Sequence, residues 1–297
     1  MTRTGFIAIV GRPNVGKSTL LNSLLGEKIA IVSKKPQTTR NRITGILTKG
    51  EDQYVFLDTP GMHKPKTKLG DYMVKTVRAT IGETDACLLV VEAGQRPGEI
   101  ELGIIDRLKN SSIPAILVIN KTDKSNAAAI GETITDYASR FDFTAVVPVS
   151  ARNHQGVDIV LNECGAFMKE GPWFFPEDEI TDQPERQIAA EVIREKMLRL
   201  LDEEVPHGVA VVIESFEESP SIIRIAAEIY CEKESHKSII IGRHGEMLKT
   251  IGTYAREDLE KFFGCKIYLN LWVKVKEKWR DNIAQLSNFG YDQKKDI

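Results

Sequence analysis

The sequence predicts an α/β protein: a mostly parallel six-stranded sheet with helices on both faces, followed by a smaller α+β domain. Three observations carry that prediction. From Gly5 to about Lys169 short apolar runs alternate with helical stretches, the pattern of a layered domain built by βα crossovers. The stretch Gly171–Pro184, with three prolines and a run of acids, then breaks the alternation. Beyond it a helix, two strands, a helix and a strand follow within about a hundred residues, an ordinary size for a second domain. A chain of 297 residues is also long for one domain. The expected division is 1–172 for the first domain, 173–185 for a linker and 186–297 for the second domain with its polar tail.

Taken in order, the expected strands of the first domain are Phe6–Val10, Arg42–Thr48, Tyr54–Asp58, Ala86–Val91, Ala115–Asn120 and Thr144–Val149. Gly50 and the two acids after it read as a hairpin turn, which makes one strand antiparallel in a sheet otherwise built by crossovers. Helices are expected after Gly16, Gly98, Lys124 and Gly156. Loops at the carboxyl ends of such strands are where a ligand sits. In the linker, Trp173, Phe174 and Phe175 are expected to anchor the chain. The second domain opens with a helix near Glu185, whose Ala189, Val192, Ile193, Met197, Leu200 and Leu201 recur at helical spacing, and which Pro206 and Gly208 are expected to end. Strands Val209–Phe216 and Ile222–Cys231, helix Glu246–Phe263, strand Lys266–Trp272 and a last helix near Lys276–Ala284 complete it. By β-propensity Ser238–Ile241 reads as a further strand. The tail from Gly290 is polar and expected to fray.

Hydrophobic content of 42% and charged content of 28% describe a chain with enough apolar mass for real cores. The net charge of −2 supplies no bulk attraction to nucleic acid or membrane. No apolar stretch approaches a membrane span, and the N-terminal apolar residues run into Gly11 without a signal-peptide cleavage site. Cys87, Cys164, Cys231 and Cys265 are scattered, with no paired spacing of the zinc type. They read as reduced, mostly core cysteines of a cytoplasmic protein.

The chemistry begins at Gly11–Ser18, which matches G-x-x-x-x-G-K-[ST] between an apolar strand pattern and a helix start. That context marks a phosphate-binding loop: its amides turn inward around phosphates, Lys17 reaches the β/γ-phosphates and Ser18 places a hydroxyl on Mg²⁺. Asp58-Thr59-Pro60-Gly61 ends a strand, where Asp58 can hold Mg²⁺ through water and Gly61 can offer its N–H to a γ-phosphate. Alone, D-x-x-G is a turn; behind a phosphate loop at this distance it is a nucleotide element. Asn120-Lys121-Thr122-Asp123 ends another strand. A carboxylate at Asp123 can accept from both N1–H and the N2 amino group of guanine, a donor pair adenine lacks, and such a site rejects the wrong base because its polar groups would go unpaired. Lys121 would lie along the purine, Asn120 would tie this loop to the phosphate loop, and Ser150-Ala151 would supply the N–H for guanine O6. In fixed order these elements specify GTP. The polar segment from Ser33 to Arg42 reads as a mobile loop of the kind ordered by γ-phosphate and Mg²⁺. Within it Thr39 is the first choice for the Mg²⁺ contact and Thr38 the second, with Gln37 and Arg40 beside them. A second basic loop, Gly61–Gly70, contains Met62 and His63.

These motifs resemble the five guanine-nucleotide elements of the translation-factor-related GTPases. On that resemblance the nucleotide-binding residues are Gly11, Arg12, Pro13, Asn14, Val15, Gly16, Lys17, Ser18 and Thr19; Asp58, Thr59, Pro60, Gly61 and Met62; Asn120, Lys121, Thr122 and Asp123; and Ser150 and Ala151. Lys17, Thr39 and Gly61 are the expected catalytic group, and Ser18, Thr39 and Asp58 the expected Mg²⁺ ligands. One departure matters: where Ras-like sequences carry a glutamine that orients the attacking water, this chain has Met62. A thioether cannot do that, and His63 is a weak substitute. Slow intrinsic hydrolysis is expected. In related GTPases with the same loop asparagine a potassium ion supplies the missing charge, which would make Asn14 its ligand.

The second domain carries Gly242-Arg243-His244-Gly245. A G-x-x-G loop opening a helix can clamp a single-stranded nucleic-acid backbone, although the isolated motif is equally a glycine-punctuated turn. From Arg186 to Ile297 there are 18 Lys/Arg and 19 Asp/Glu, so total charge does not favour RNA. Local clustering does: Lys266, Lys274, Lys276, Lys278 and Arg280 interleave with Trp272 and Trp279, while the acids concentrate elsewhere. The other reading is a solvated face with core tryptophans.

With Pro36–Arg40 in the first domain, the linker from Pro172 to Asp178, Ile239–Gly245 and Leu271–Lys276, essentially the whole chain resembles the Era family, bacterial ribosome-associated GTPases with a C-terminal KH domain. The resemblance implies a type II KH fold in which Ser238–Ile241 is helical rather than a strand. It implies RNA contacts at Ile241, Gly242, Arg243, His244, Gly245, Lys249, Lys274 and Lys276. It further implies 16S ribosomal RNA near its 3′ end and the 30S subunit as partners, GTP/GDP, Mg²⁺ and K⁺ as ligands, a monomeric state without zinc, and a capacity for peripheral membrane association. A transfer-RNA-modifying or large-subunit GTPase is the nearest rival, and a scaffold that binds GTP without hydrolysis is the rival of a different class.

Overall fold

The computed structural model describes residues 1–62 and 65–291. His63, named above beside Met62, and most of the polar tail lie outside the described residues. The chain forms two units, the first holding Met1–Lys66 and Gly70–Asp182, the second Thr67–Leu69 and the described residues from Gln183 onward.

The first unit is built on β1 (Arg3–Val10), α1 (Lys17–Leu25), β2 (Ile43–Lys49), β3 (Asp52–Asp58), α2 (Lys68–Gly82), β4 (Ala86–Glu92), α3 (Glu99–Ser111), β5 (Ala115–Asn120), α4 (Ala127–Ala138), β6 (Ala145–Pro148), α5 (Val157–Cys164) and β7 (Lys169–Glu170). The strand order is β2-β3-β1-β4-β5-β6. Only the β2–β3 hairpin in that path is antiparallel, turned through Gly50 at φ 63°. The central strands β4 and β5 are buried almost end to end, as parallel strands covered on both faces must be, and so read as unbroken apolar runs.

Two elements were absent from the sequence reading. β4 joins β1 only from Ile7 to Val10, which leaves the Arg3–Thr4 edge for the two-residue β7. The second basic loop is shorter than expected, because α2 begins at Lys68 and carries the last three residues of Gly61–Gly70 into a helix. The segment expected as linker runs along the first unit: Trp173 Nε1 donates to the Glu51 carbonyl at 3.1 Å, Phe174 lies 5.2 Å from the Phe6 ring, and Ile46 N–H donates to the Ile180 carbonyl.

The second unit contains α6 (Glu185–Leu200), β8 (Ala210–Ser219), β9 (Ile222–Cys231), α7 (Glu234–Ile241), α8 (Glu246–Phe263), β10 (Lys266–Val275) and α9 (Ile283–Asn288). Its sheet order is β10-β9-β8, with β9–β10 parallel and β8–β9 antiparallel. This is the type II KH arrangement. Ser238–Ile241 is helical, as the family resemblance implied and against local β-propensity. Two boundaries differ from expectation. α6 stops at Leu200, and Pro206 and Gly208 belong to a separate 3₁₀ turn. The last helix starts at Ile283 rather than near Lys276, because Trp279 turns the chain inward and Asn282 caps the helix by accepting from Gln285 N–H.

Candidate functional site

The loop between β1 and α1 leaves the sheet where neighbours diverge, β3 on one side and β4 on the other, the switch point at which open α/β sheets bind ligands. Its glycines are demanded by close approach. A Cβ on Gly11 would lie 2.3 Å from the Val90 carbonyl oxygen, and one on Gly16, at φ 103°, 2.1 Å from Asn120 Nδ2. Lys17 is buried and donates to the carbonyls of Gly11 at 3.2 Å and Arg12 at 2.9 Å. Burial lowers its pKa to about 8 against the opposing pull of the Asp58 charge. Arg12 turns its guanidinium onto Glu101, a fully buried carboxylate that also accepts the Gly98 N–H at the start of α3. Glu101 was not singled out in the sequence; a G-x-x-E opening of a helix was its only signal.

Ser18, Thr39 and Asp58 converge although they are far apart in the chain. Ser18 Oγ donates to Asp58 Oδ2 at 2.6 Å, and Thr39 Oγ1 lies 2.9 Å from Ser18 Oγ and 3.5 Å from Asp58 Oδ2. Thr38 does not join them, since its hydroxyl donates to the Lys35 carbonyl at 2.7 Å. Asp58 is fully buried, and burial raises its pKa to about 6 despite the charge of Lys17 and the Ser18 hydrogen bond. Its second oxygen, Oδ1, is buried without a hydrogen-bond partner among the described residues. Two hydroxyls and one carboxylate with an idle oxygen are hard donors of the kind Mg²⁺ takes alongside phosphate oxygens. Gly61 closes the site: a Cβ there would meet Pro13 Cα at 2.7 Å. Met62 N–H donates to the Gly11 carbonyl, and the Met62 side chain packs against the core that includes Val77 and Ile104. Asn14, at φ 64°, donates from Nδ2 to the Lys34 carbonyl at 2.8 Å.

At the ends of β5 and β6 the base-recognition elements meet. Asn120 is buried, donating to the Val15 carbonyl at 2.8 Å and accepting the Ala151 N–H at 3.0 Å. Asp123 is exposed, and Ser150 Oγ donates to its Oδ1 at 2.7 Å. Lys121, in the left-handed region at φ 64°, holds Glu92 at 2.7 Å. The Ser150 amide is taken by the Gln155 carbonyl and the Ala151 amide by Asn120, so the amides expected to face guanine O6 are engaged within the protein.

In the second unit Gly242 (φ 75°), His244 (φ 50°) and Gly245 (φ 81°) form the turn between α7 and α8. A Cβ at Gly242 would lie 2.7 Å from Met247 Cβ. Beside this turn a groove of about 390 Å³ runs between α8 and β10, lined by Gly245, Leu248, Lys249, Arg256, Leu269 and Leu271 among others. Apolar walls with cations at the rim suit stacked bases and a phosphate backbone. Lys274 is not part of it. It lies on the other face of β10, paired with Glu228, and Lys276 follows the strand end. The basic cluster is also less free than its sequence suggested, because Arg280 is held by Glu232 and Glu204. Trp279 is a core residue, fully buried with Nε1 on the Gly208 carbonyl at 2.9 Å. Arg256, Leu248, Leu269 and Leu271 were missed, since only the fold brings them to Gly245.

Among the described residues no helix is long and apolar enough to cross a membrane. The family model for 50S ribosome-binding GTPases matches residues 6–121, and that for the KH domain matches residues 204–280. GTPase Era of Ruminiclostridium cellulolyticum is 51% identical over 294 residues, 99% of each chain. GTPase Era of Clostridium kluyveri is 50% identical over 292 residues, 98% of this chain and 100% of its own. A crystal structure of Era in complex with MgGDPNP and nucleotides 1506–1542 of 16S ribosomal RNA superimposes with a TM-score of 0.94 at 40% identity, covering 98% of this chain and 99% of that one. An Aquifex aeolicus Era variant bound to GDP and AlF₄⁻ matches equally well, with a TM-score of 0.94 at 40% identity and the same coverage. Matched from end to end at about half identity, with both domain models in order along it, the chain belongs to the Era family of GTPases.

Proposed function

We propose that this chain is a GTP-switched RNA-binding protein that engages the 3′ region of 16S ribosomal RNA through the groove beside Gly242–Gly245 and acts in 30S subunit assembly. The observation that carries the reading is the presence in one chain of the Ser18–Thr39–Asp58 cluster under a phosphate loop and a basic-rimmed KH groove. The end-to-end similarity to an Era that was crystallised with both MgGDPNP and a 16S fragment supports it.

In this reading Lys17 and the loop amides hold the β/γ-phosphates, and Asp123, aimed by Ser150, selects guanine. Ser18, Thr39 and Asp58 hold Mg²⁺, which when bound offsets charge on the phosphates. Thr39 reports the γ-phosphate to its loop, and Gly61 offers its amide from the other side. With Met62 committed to the core, no side chain among the described residues there orients water by hydrogen bonding, so hydrolysis is slow until a cation or partner completes the site. Asn14 is the ligand proposed for a potassium ion. The protein works as a monomer in the cytoplasm; peripheral membrane association is carried by the family resemblance alone.

Crosslinking of the GTP-bound full chain to small subunits tests the reading. Crosslinks are expected at the 16S 3′ end and are expected to vanish in Gly242→Asp. Crosslinks that survive that substitution unchanged would remove the groove from the mechanism.

A further inference from the structure

β10 is the edge strand of the second unit's sheet, and its alternation presents two different surfaces. Its odd residues, Leu269 and Leu271 among them, face the helices and line the groove. Its even residues face away, and there Tyr268 is 48% and Trp272 51% exposed. Arg224, paired in register with Tyr268 on β9, lies over the tyrosine ring, its guanidinium carbon 5.5 Å from the centroid. Among the described residues Arg224 forms no ion pair. Lys266 lies further along the same face, while Lys274 on the other side of Trp272 is neutralised by Glu228.

We propose that this open face is a second RNA surface, on which nucleotides flanking the groove-bound segment pass round the β10 edge and stack on Tyr268 and Trp272. The inference rests on the RNA-binding reading above and adds a site to it. The two rings are four residues apart, about 13 Å along the strand, so they receive separate bases. Sheet aromatics beside an unpaired guanidinium are the equipment of single-stranded nucleic-acid platforms: rings take base faces without regard to sequence, and the cation takes phosphate. A protein partner would find less here, because the patch is two separated rings among charges rather than a continuous apolar surface.

The full-length GTP-bound protein is titrated with two fluorescent RNAs: a short single strand that fills only the groove, and the same strand extended by several flanking nucleotides. Tyr268→Ala/Trp272→Ala is expected to bind the short strand as wild type does and the extended strand at least about thirtyfold more weakly. Trp272→Phe, which keeps a ring, recovers most of the Trp272 contribution, and undiminished binding of the short strand in each variant shows that the second unit folds. Equal affinity of wild type and double variant for the extended strand overturns the proposal. So does an equal loss on both strands. Loss of subunit association with RNA affinity intact overturns it too, and makes the face a protein contact. If wild type binds neither strand, the RNA-binding reading itself falls and takes this one with it, whereas loss of short-strand binding in Gly242→Asp alone supports the groove.

Discussion

Asn120 stands so close to Gly16 that a Cβ built on the glycine would lie 2.1 Å from the asparagine's Nδ2. The same amide nitrogen donates to the Val15 carbonyl, and the side-chain oxygen accepts the Ala151 N–H. One buried side chain thus fixes the phosphate loop against the base-recognition loop. Asn120→Ala leaves a buried carbonyl and a buried amide unpaired, each costing about 1–3 kcal/mol. We expect lower stability toward urea by about 2–6 kcal/mol and a clear loss of affinity for a fluorescent GDP analogue. Gly16→Ala is expected to abolish nucleotide binding while far-UV circular dichroism stays native. Tight binding by Gly16→Ala would contradict the geometry.

Thr39 and Thr38 are adjacent, yet only Thr39 joins Ser18 and Asp58. Thr39→Ala is expected to lower GTP turnover about 10²-fold, the scale of losing one well-placed group at a reacting phosphate, and to raise the Mg²⁺ concentration needed for half-maximal rate. Thr38→Ala loses a hydrogen bond to Lys35 within its own loop and should stay within a few-fold of wild type. Steady-state phosphate release across a Mg²⁺ series separates the two, and a reversed ranking would assign the ligand to Thr38.

How much of this was legible in the chain divides by range. The phosphate loop, Asp58 and the Asn120–Asp123 element could be read because their backbone demands are local and each closes a strand. α2 was missed although Met73, Val77 and Ile81 recur every four residues and are buried; the basic loop before it drew the reading away. β7 had no signal at all, being two polar residues filling an open edge of β1. The Arg12–Glu101 pair, the Leu269–Leu271 wall and the opposite exposure of Trp272 and Trp279 depend on which face a residue takes. Spacing in the basic cluster could not reveal that, because it straddles a strand end.

Burial raises Asp58 to about 6 from 3.8, and the sign of the consequence follows. Mg²⁺ takes the carboxylate, so below about pH 6 binding must displace a proton the free site holds. Affinity for Mg²⁺·GDP is then flat above pH 6 and falls as pH drops through it, by at most about tenfold per unit for one proton. The same shift means that the nucleotide-free fold binds more protons than the unfolded chain between pH 3.8 and 6. This group alone therefore lowers stability as pH rises through that window, with no further loss above it. Calorimetric titration on either side of pH 6 checks the first claim, with Asp58→Asn separating the protein's proton from those of the phosphates. The variant should bind weakly and show no inflection of its own at pH 6.

In the second unit Lys196 is buried between Glu195, 3.0 Å away and fully buried, and Asp258, while Arg199 reaches Glu195 at 2.8 Å. Lys196→Met leaves buried Glu195 to the half-exposed Arg199 alone and takes the lysine from Asp258, and a loss toward the lower end of about 3–5 kcal/mol is expected. Glu195→Gln together with Lys196→Met removes both halves of the inner pair and should recover much of that. Urea unfolding followed at the buried Trp279, with Trp173 and Trp272 replaced by Phe, reads this unit. A single variant as stable as wild type would show that the network is solvated.

Asn14 bridges the phosphate loop to the segment that leads to Thr39, its amide on the Lys34 carbonyl. Amide and carbonyl oxygens at such a junction are ligands of the kind that replace the hydration shell of K⁺. The glutamine that orients water in Ras-like sequences is replaced by Met62, whose side chain packs into the core. A cation near the phosphates would supply the charge that an arginine finger provides elsewhere, an effect worth 10³-fold or more in its strongest form. Turnover is therefore expected to be at least about tenfold faster in potassium than in sodium at equal ionic strength, a modest share of that range, and Asn14→Ala should lose the difference while retaining GTP affinity. Equal rates in the two salts would leave the missing charge to be supplied by a partner.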